Sequence, residues 1–159
     1  MRRTKKILAA LASIGFVLTL AAPIGAAQLK SPDDVKTTLR LLVQVSNDFK
    51  RQIGNKNFAR VPKEYIEYTE AADALRSAIK NEPADFKAKV ETRLKAAVMA
   101  YQKISDMSVN ATDADKLMAE HSSKAVPAMN AVFDLFPADF RPDPNLPPPG
   151  RGGRGAKKN

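Results

Sequence analysis

The sequence contains no cysteine, and this absence excludes several kinds of protein at once. Without a thiol the chain can form no disulfide framework, no thiolate metal site and no covalent attachment to a c-type haem. A lipoprotein anchored through a modified cysteine at its cleavage point is excluded on the same ground. The fold must therefore be held together by noncovalent packing.

Groups suited to catalysis are also scarce. His121 is the only histidine, and the serines beside it, Ser122 and Ser123, follow it on one helix and point away from it. No Glu-x-x-His pair is present to build a di-iron centre, and Gly54 is isolated rather than part of a phosphate-binding loop. Acidic residues do cluster, but on the polar face of the second predicted helix: Glu64, Glu67, Glu70 and Asp73. We therefore predict that the protein is not an enzyme.

The first 27 residues have the order of a secretory signal peptide. A basic head, residues 1–6, precedes an uncharged run from Ile7 to Ala22, and small residues close the segment at Ala27. A membrane-spanning helix needs roughly 20 apolar residues, more than this run supplies. We predict that cleavage falls between Ala27 and Gln28. The mature protein is then exported to the periplasm or the extracellular space and has no transmembrane span.

The formal net charge of +9 is concentrated at the two ends of the chain. Residues 1–27 carry +4, and the residues from Arg141 onward carry another +4, so residues 28–140 carry only +1. The predicted folded part is thus nearly neutral. A surface that attracts nucleic acid or an anionic membrane has to be sought in the tail.

Three stretches of the middle region show apolar side chains at helical spacing. The first begins at Ser31, a favourable N-cap, with Pro32 at the first helical position, and it ends at Gly54. The second starts near Pro62, and the third follows the break at Pro83. Their apolar stripes are Val35, Leu39, Leu42, Ser46, Phe49 and Ile53; Tyr65, Tyr68, Ala72, Leu75 and Ile79; and Phe86, Val90, Leu94, Ala97, Tyr101 and Ile104.

A fourth helix is predicted to open at Thr112, as the N-cap of a capping box completed by Asp115. Pro127 removes a backbone hydrogen bond, and the sequence leaves open whether the helix kinks there or consists of two shorter pieces. The predicted apolar face is Ala114, Leu117, Met118, His121, Ala125, Ala128, Val132 and Leu135. Four amphipathic helices with short connections predict an all-α, antiparallel up-down-up-down four-helix bundle over residues 28–140. The residues expected at the centre of its core are Leu42, Leu75, Leu94, Tyr101 and Val132.

Residues 141–159 form a stretch rich in proline and then in glycine. Such a segment cannot bury enough apolar surface to offset its ordering entropy, so we predict a disordered basic tail. Its cations are candidates for weak contact with an anionic surface: Arg151, Arg154, Lys157 and Lys158. Nucleic acid is the less favoured partner, because the tail has no aromatic side chains to stack on bases.

His121 carries the sharpest chemical indication, because it falls on the apolar face of the fourth helix, close after Met118. One interpretation is a core histidine hydrogen-bonded to a neighbour such as Tyr101. The other is a cofactor site, in which His121 alone binds haem b, or Met118 and His121 together bind a soft metal.

The predicted architecture and its single late histidine resemble cytochrome b562, an exported four-helix bundle in which a methionine of the first helix is the second axial ligand. The resemblance implies haem b bound through His121 and a role in electron transfer or sensing. The chain departs from that pattern, because its first predicted helix contains no methionine, and the attachment motif of cytochromes c′ is also absent.

The sequence as a whole predicts an exported, non-enzymatic helical-bundle protein of the cell envelope that binds another protein or an envelope component. No cofactor is expected on this interpretation. The alternative is a haem- or metal-binding four-helix bundle.

Overall fold

The structure is a computed structural model that describes residues 29–143, and this part of the chain is mostly helical. Three long helices come first: α1 (Pro32–Gly54), α2 (Val61–Ala78) and α3 (Ala84–Ser108). The fourth helical region consists of α4 (Ala114–Glu120), a π-helical turn (His121–Ala125) and α5 (Val126–Phe133), which follow one another without a break. Short 3-10 helices occupy Phe58–Arg60 and Ala138–Phe140. The described range contains no strand, so the predicted all-α class with four helical regions is confirmed.

The predicted signal peptide lies outside the described residues, and so does the tail beyond residue 143. Within the described range, no helix combines the length and the apolar character that crossing a bilayer requires.

The helices contact one another in a closed series. α1 packs on α2, α2 on α3, and α3 on the π-helical turn and α5, while α1 also contacts α4 and α5.

Hydrogen bonds show which ends of α1 and α2 meet. Gln52 Nε2 near the end of α1 donates to Glu64 Oε1 near the start of α2 at 3.1 Å, and the Lys30 amide donates to Glu82 Oε1 at 2.6 Å.

The predicted centre of the core is confirmed. Each of its members is fully buried: Leu42, Leu75, Leu94, Tyr101 and Val132. The stripes predicted for α1, α2 and α3 are buried throughout, apart from Tyr65, which is half-buried. Removing these apolar side chains from water is the main favourable contribution to folding.

The predicted N-cap of the fourth helix was wrong by one residue. Asp113, not Thr112, occupies the cap, and its Oδ1 accepts from the Asp115 amide at 2.9 Å and the Lys116 amide at 3.5 Å. A carboxylate at this position also complements the positive end of the helix dipole. Ser31 holds the N-cap position of α1 as predicted, but its side chain makes no capping hydrogen bond.

The buried face of the fourth helical region shifts to different sequence positions after the π-helical turn. Beyond it the buried side chains include Met129, Phe133 and Phe136, whereas the predicted Ala128 and Leu135 are only half-buried. A π turn holds an extra residue, so the face that follows shifts along the sequence by about one position. A constant helical period therefore predicted Ala125 and Val132 correctly but missed Met129, Phe133 and Phe136.

Pro127 lies in the first turn of α5, so the fourth helical region is two shorter helices joined by the π-helical turn. Of the two arrangements that the sequence left open, the structure shows the second. The Val126 amide just before the proline donates to the His121 carbonyl in the wider i→i−5 pattern, so the regular α-helical hydrogen bonding is already interrupted where Pro127 lacks its own donor.

Candidate functional site

A groove runs between α1 and the fourth helical region, and we call it the His121 groove. Its cavity has a volume of about 720 Å³, within the range of roughly 300–1,000 Å³ that small-molecule sites occupy. Buried or half-buried apolar side chains of α1, α4 and α5 provide much of its wall. The lining residues are Val43, Ser46, Asn47, Lys50, Met118, His121, Ser122, Val126, Met129, Asn130, Phe133, Asp134, Arg141 and Pro142.

His121 is the first residue of the π-helical turn and is buried, with 3% of its surface exposed. Its Nε2 lies 3.1 Å from the carbonyl oxygen of Ser46 and 3.2 Å from Ser46 Oγ. Because a carbonyl oxygen only accepts, this contact assigns the ring proton to Nε2 and leaves Nδ1 as the lone-pair nitrogen. The imidazole is therefore anchored to α1 through a single residue.

Ser46 also connects His121 to the centre of the core. The Tyr101 hydroxyl donates to Ser46 Oγ at 2.6 Å and lies 3.7 Å from Met129 Sδ. The Tyr101 ring contacts Phe49 at a centroid distance of 4.9 Å and His121 at 5.9 Å. These four groups form what we call the Ser46 network: Ser46, Tyr101, His121 and Met129. The network links α1, α3 and the fourth helical region.

The groups of the network that titrate are held neutral. Burial lowers the pKa of His121, and the charge of Lys50 lowers it further, while the hydrogen bond to the Ser46 carbonyl acts in the opposite direction. Burial raises the pKa of Tyr101 far above neutrality. A neutral, hydrogen-bonded network of this kind stabilises one arrangement of the helices without an unpaired charge in the core.

The rim of the groove carries more positive than negative charge. Lys50 on α1 is exposed and takes part in none of the ion pairs described for residues 29–143. Arg141, which also lines the groove, pairs through Nη2 with Asp134 Oδ1 at 3.1 Å. Lys50 therefore places a positive charge, outside the described ion pairs, beside an apolar cavity.

The structure places both predicted cofactor ligands, Met118 and His121, in the groove wall. Met118 is half-buried. The Nε2 atom of His121 is already engaged by Ser46, so a metal or haem iron would have to bind Nδ1 or displace that hydrogen bond. The Ser122 and Ser123 hydroxyls bond to backbone carbonyls of α4 and are exposed, in agreement with their predicted orientation away from His121.

Sequence reasoning missed the partners of His121. The first stripe predicts the burial of Ser46 but not its contact with His121. A polar residue within each of two apolar stripes, Ser46 in one and His121 in the other, is the signal that could have predicted the pair. Met129 could not be placed, because the π-helical turn rotates it toward Tyr101.

The pair of Ser46 and His121 does not form an activated nucleophile. A general base needs a lone pair directed at the hydroxyl, whereas Nε2 carries the proton and points at the Ser46 carbonyl and hydroxyl. Ser46 is 3% exposed, and its Oγ already accepts from Tyr101. The arrangement is suited to holding two helices together.

A second polar cluster lies between α1 and α2, where Asp48, Glu64 and Glu67 bring one carboxylate oxygen each within 4.8 Å of one another. This geometry could hold a metal ion, but cations of the chain already contact it. Arg51 Nη2 lies 2.6 Å from Asp48 Oδ1, and Lys63 Nζ lies 3.9 Å from Glu67 Oε1.

Glu64 in this cluster corrects a prediction, because it was expected on the wet face of the second helix and is only 3% exposed. Burial raises the pKa of its carboxyl group, and the neighbouring Glu67 and Asp48 raise it further. The Gln52 amide group, which is itself bonded to Asn57, donates to its Oε1.

Comparison with protein-family models, with curated proteins and with solved structures gave no match for this chain.

Proposed function

We propose that this chain is an exported, non-enzymatic binding protein of the cell envelope and that the His121 groove is its ligand site. The observation that carries the proposal is a cavity of about 720 Å³ with a largely apolar wall beside a neutral, hydrogen-bonded network. Such a cavity is the usual form of a small-molecule site. The network holds α1 against the fourth helical region and so keeps the groove open between them.

The topology that we propose for the scaffold is the antiparallel up-down-up-down bundle. The contacts Gln52–Glu64 and Lys30–Glu82 support opposite directions for α1 and α2. Two further ion pairs support the same alternation of helix direction in the rest of the bundle. Arg76 pairs with Glu91 between α2 and α3, and Lys103 pairs with Glu120 between α3 and α4.

The absence of catalysis is part of the proposal, and the protonation of His121 supports it. The only histidine of the chain directs its Nε2–H at Ser46, and burial favours the neutral ring. Neither nitrogen is then arranged to take a proton from Ser46.

Export is proposed from the leader sequence, and its test is direct. Mass spectrometry of the protein recovered outside the cytoplasm should show a chain that begins at Gln28. Deletion of residues 1–27 should retain the protein in the cytoplasm, because the uncharged run that the export machinery recognises is then absent. Recovery of the uncleaved chain from the membrane fraction would contradict the proposal.

The groove is tested with an uncharged fluorescent apolar probe, N-phenyl-1-naphthylamine. The mature chain should enhance its fluorescence, and Val126→Glu should weaken binding at least about tenfold, because a carboxylate would enter the apolar wall. Ile66→Glu is the matched control, since Ile66 on α2 is 56% exposed and does not line the groove. Equal binding by the two variants, both shown to be folded by circular dichroism, would overturn the proposal.

The second candidate is the haem- or metal-binding bundle, and the observation that favours it is that Met118 and His121 share the groove wall. The test is the visible spectrum of the protein after addition of haem b. A Soret band that is lost in His121→Ala would support haem binding. Binding of a thiophilic ion such as Cu(I) that is lost in the same variant would support a metal site. A colourless, metal-free protein after both additions would reject this candidate.

A further inference from the structure

Lys50 is the most informative charge beside the His121 groove. It lies on α1 one turn after Ser46, and its ammonium is close enough to lower the pKa of His121. Lys50 takes part in none of the ion pairs described for residues 29–143. A cation outside those ion pairs and beside an apolar cavity is the arrangement expected for holding the head of an amphipathic anion.

The other charged groups of the groove leave the net charge of its lining positive. Arg141 and Asp134 neutralise each other at 3.1 Å, so Lys50 decides the net charge of the lining. The remaining polar lining includes hydroxyl and amide groups, which are uncharged: Ser122, Asn47 and Asn130.

The apolar part of the wall defines the rest of the ligand. Val43, Met129 and Phe133 are almost entirely buried and line the cavity from α1 and α5, while Val126 is half-buried between them. An apolar body placed against these side chains is removed from water, which is worth about 25 cal/mol for each Å² of apolar surface buried.

We propose that the His121 groove binds a free amphipathic carboxylate, a small molecule with one anionic head and an apolar body, and that Lys50 pairs with the head. This inference rests on the proposed function, which makes the groove the ligand site. A carboxylate is favoured over a neutral ligand by the charge of Lys50. The basic tail of this chain is disfavoured as the occupant, because its Arg151, Arg154, Lys157 and Lys158 would repel the same charge.

Calorimetric titration of the mature chain with dodecanoate and with dodecan-1-ol tests the inference. The two probes share one apolar chain and differ in the head. We expect dodecanoate to bind about three- to tenfold more tightly, the range of a charge-assisted contact at a partly exposed site. Lys50→Gln should remove that advantage, so that the variant binds the two probes with similar affinity. The matched control is Lys95→Gln, because Lys95 is an exposed lysine of α3 away from the groove.

The possible results separate the two proposals. Equal affinities of the two probes, or an unchanged preference in Lys50→Gln, would overturn the carboxylate inference while leaving an apolar ligand site in place. Absence of binding by both probes, together with no response to N-phenyl-1-naphthylamine, would overturn the proposed function itself. If a chain truncated after Pro142 bound dodecanoate more than about tenfold more tightly, the tail would be the occupant of the groove, and the inference would fail.

Discussion

Two tyrosines at the centre of the core differ in one hydrogen bond. Tyr68 and Tyr101 are both fully buried and stack with their ring centroids 3.9 Å apart. The Tyr101 hydroxyl donates to Ser46, whereas the buried Tyr68 hydroxyl has no hydrogen-bond partner among the described residues. A buried polar group without a partner lowers stability by about 1–3 kcal/mol. The same substitution should therefore have opposite effects at the two positions.

Tyr68→Phe should raise the free energy of unfolding by about 1 kcal/mol, because it removes the unpaired hydroxyl and keeps the ring. Tyr101→Phe should lower it by about 1–2 kcal/mol, because the Ser46 network then loses its donor. Urea denaturation of the two variants and the wild type measures both changes. Equal effects of the two substitutions would show that the hydrogen bond of Tyr101 contributes nothing net.

The burial of His121 makes stability depend on pH. Its folded-state pKa is lowered, so between that value and the unfolded value of about 6.5 the unfolded chain binds a proton that the folded chain does not. The free energy of unfolding must then decrease as pH falls below about 6.5, and it levels off below the folded pKa.

His121→Leu should remove this pH dependence. The variant should be tolerated at pH 7.5, and relative to the wild type it should become more stable as the pH is lowered to 5. Urea denaturation of both proteins at the two pH values is the measurement. Parallel pH profiles, or an NMR titration that places the folded pKa at 6.5 or above, would contradict the burial argument.

At the scale of the helix, the apolar stripe predicts burial position by position, and adjacent leucines show it. Leu42 is fully buried in the stripe of α1, whereas Leu41 beside it is 39% exposed. Leu42→Ala should lower the free energy of unfolding by about 2–5 kcal/mol, because it leaves a cavity in the core. Leu41→Ala should change it by no more than about 0.5 kcal/mol. Thermal or urea unfolding compares them, and similar losses would mean that the stripe does not define the core.

Helix geometry also explains which buried positions could not be predicted from the sequence. The period of 3.6 residues held through α1, α2 and α3, where no local irregularity interrupts it, so the stripes could be predicted. After His121 it still predicted Ala125 and Val132, which are buried, but it chose the half-buried Ala128 and Leu135, because the extra residue of the π-helical turn is invisible in the spacing of apolar residues. Met129 and Phe133 were therefore missing from the predicted face, and with them one wall of the groove.

The site was harder to predict than the fold for a related reason. His121 and Met118 could be singled out by residue type, and both line the groove. The contact of His121 with Ser46 depends on the relative rotation of two helices that are 75 residues apart in sequence at these positions. Rotation of that kind is set by tertiary packing and not by any local pattern.

At the scale of the whole molecule, stability and surface binding are expected to depend on different parts of the chain. The excess positive charge lies at the two ends, and the apolar core lies in the nearly neutral middle. The described ion pairs lie at the surface, where such pairs contribute about 0–1 kcal/mol each, so the apolar core supplies most of the stability. Within residues 29–143, Phe140 is the last large side chain that joins this core: it is 3% exposed and lies under Lys36 Nζ at 4.4 Å from the ring centroid. Lys36 also pairs with Asp139 at 3.5 Å.

Two truncations should therefore differ sharply. A chain that ends at Pro142 keeps Phe140 and Arg141 and should melt within about 2 °C of the intact mature protein, because the residues removed add no periodic apolar face. A chain that ends at Pro137 loses Phe140 and should be less stable by about 3 kcal/mol, the order of a deleted buried phenylalanine. Calorimetry compares the melting temperatures, and a large decrease for the chain that ends at Pro142 would mean that residues 143–159 pack on the bundle.

The intact mature chain and the chain that ends at Pro142 also test the proposed role of the tail at an anionic surface. The intact mature chain should bind phosphatidylglycerol vesicles at low ionic strength through Arg151, Arg154, Lys157 and Lys158, because residues 28–140 carry only +1. Binding should weaken as salt shortens the screening length to about 8 Å at physiological strength, and it should be absent in the chain that ends at Pro142. Vesicle binding that survives this truncation would place the contact on the helical bundle, where Lys50 and the other exposed lysines would be the next residues to substitute.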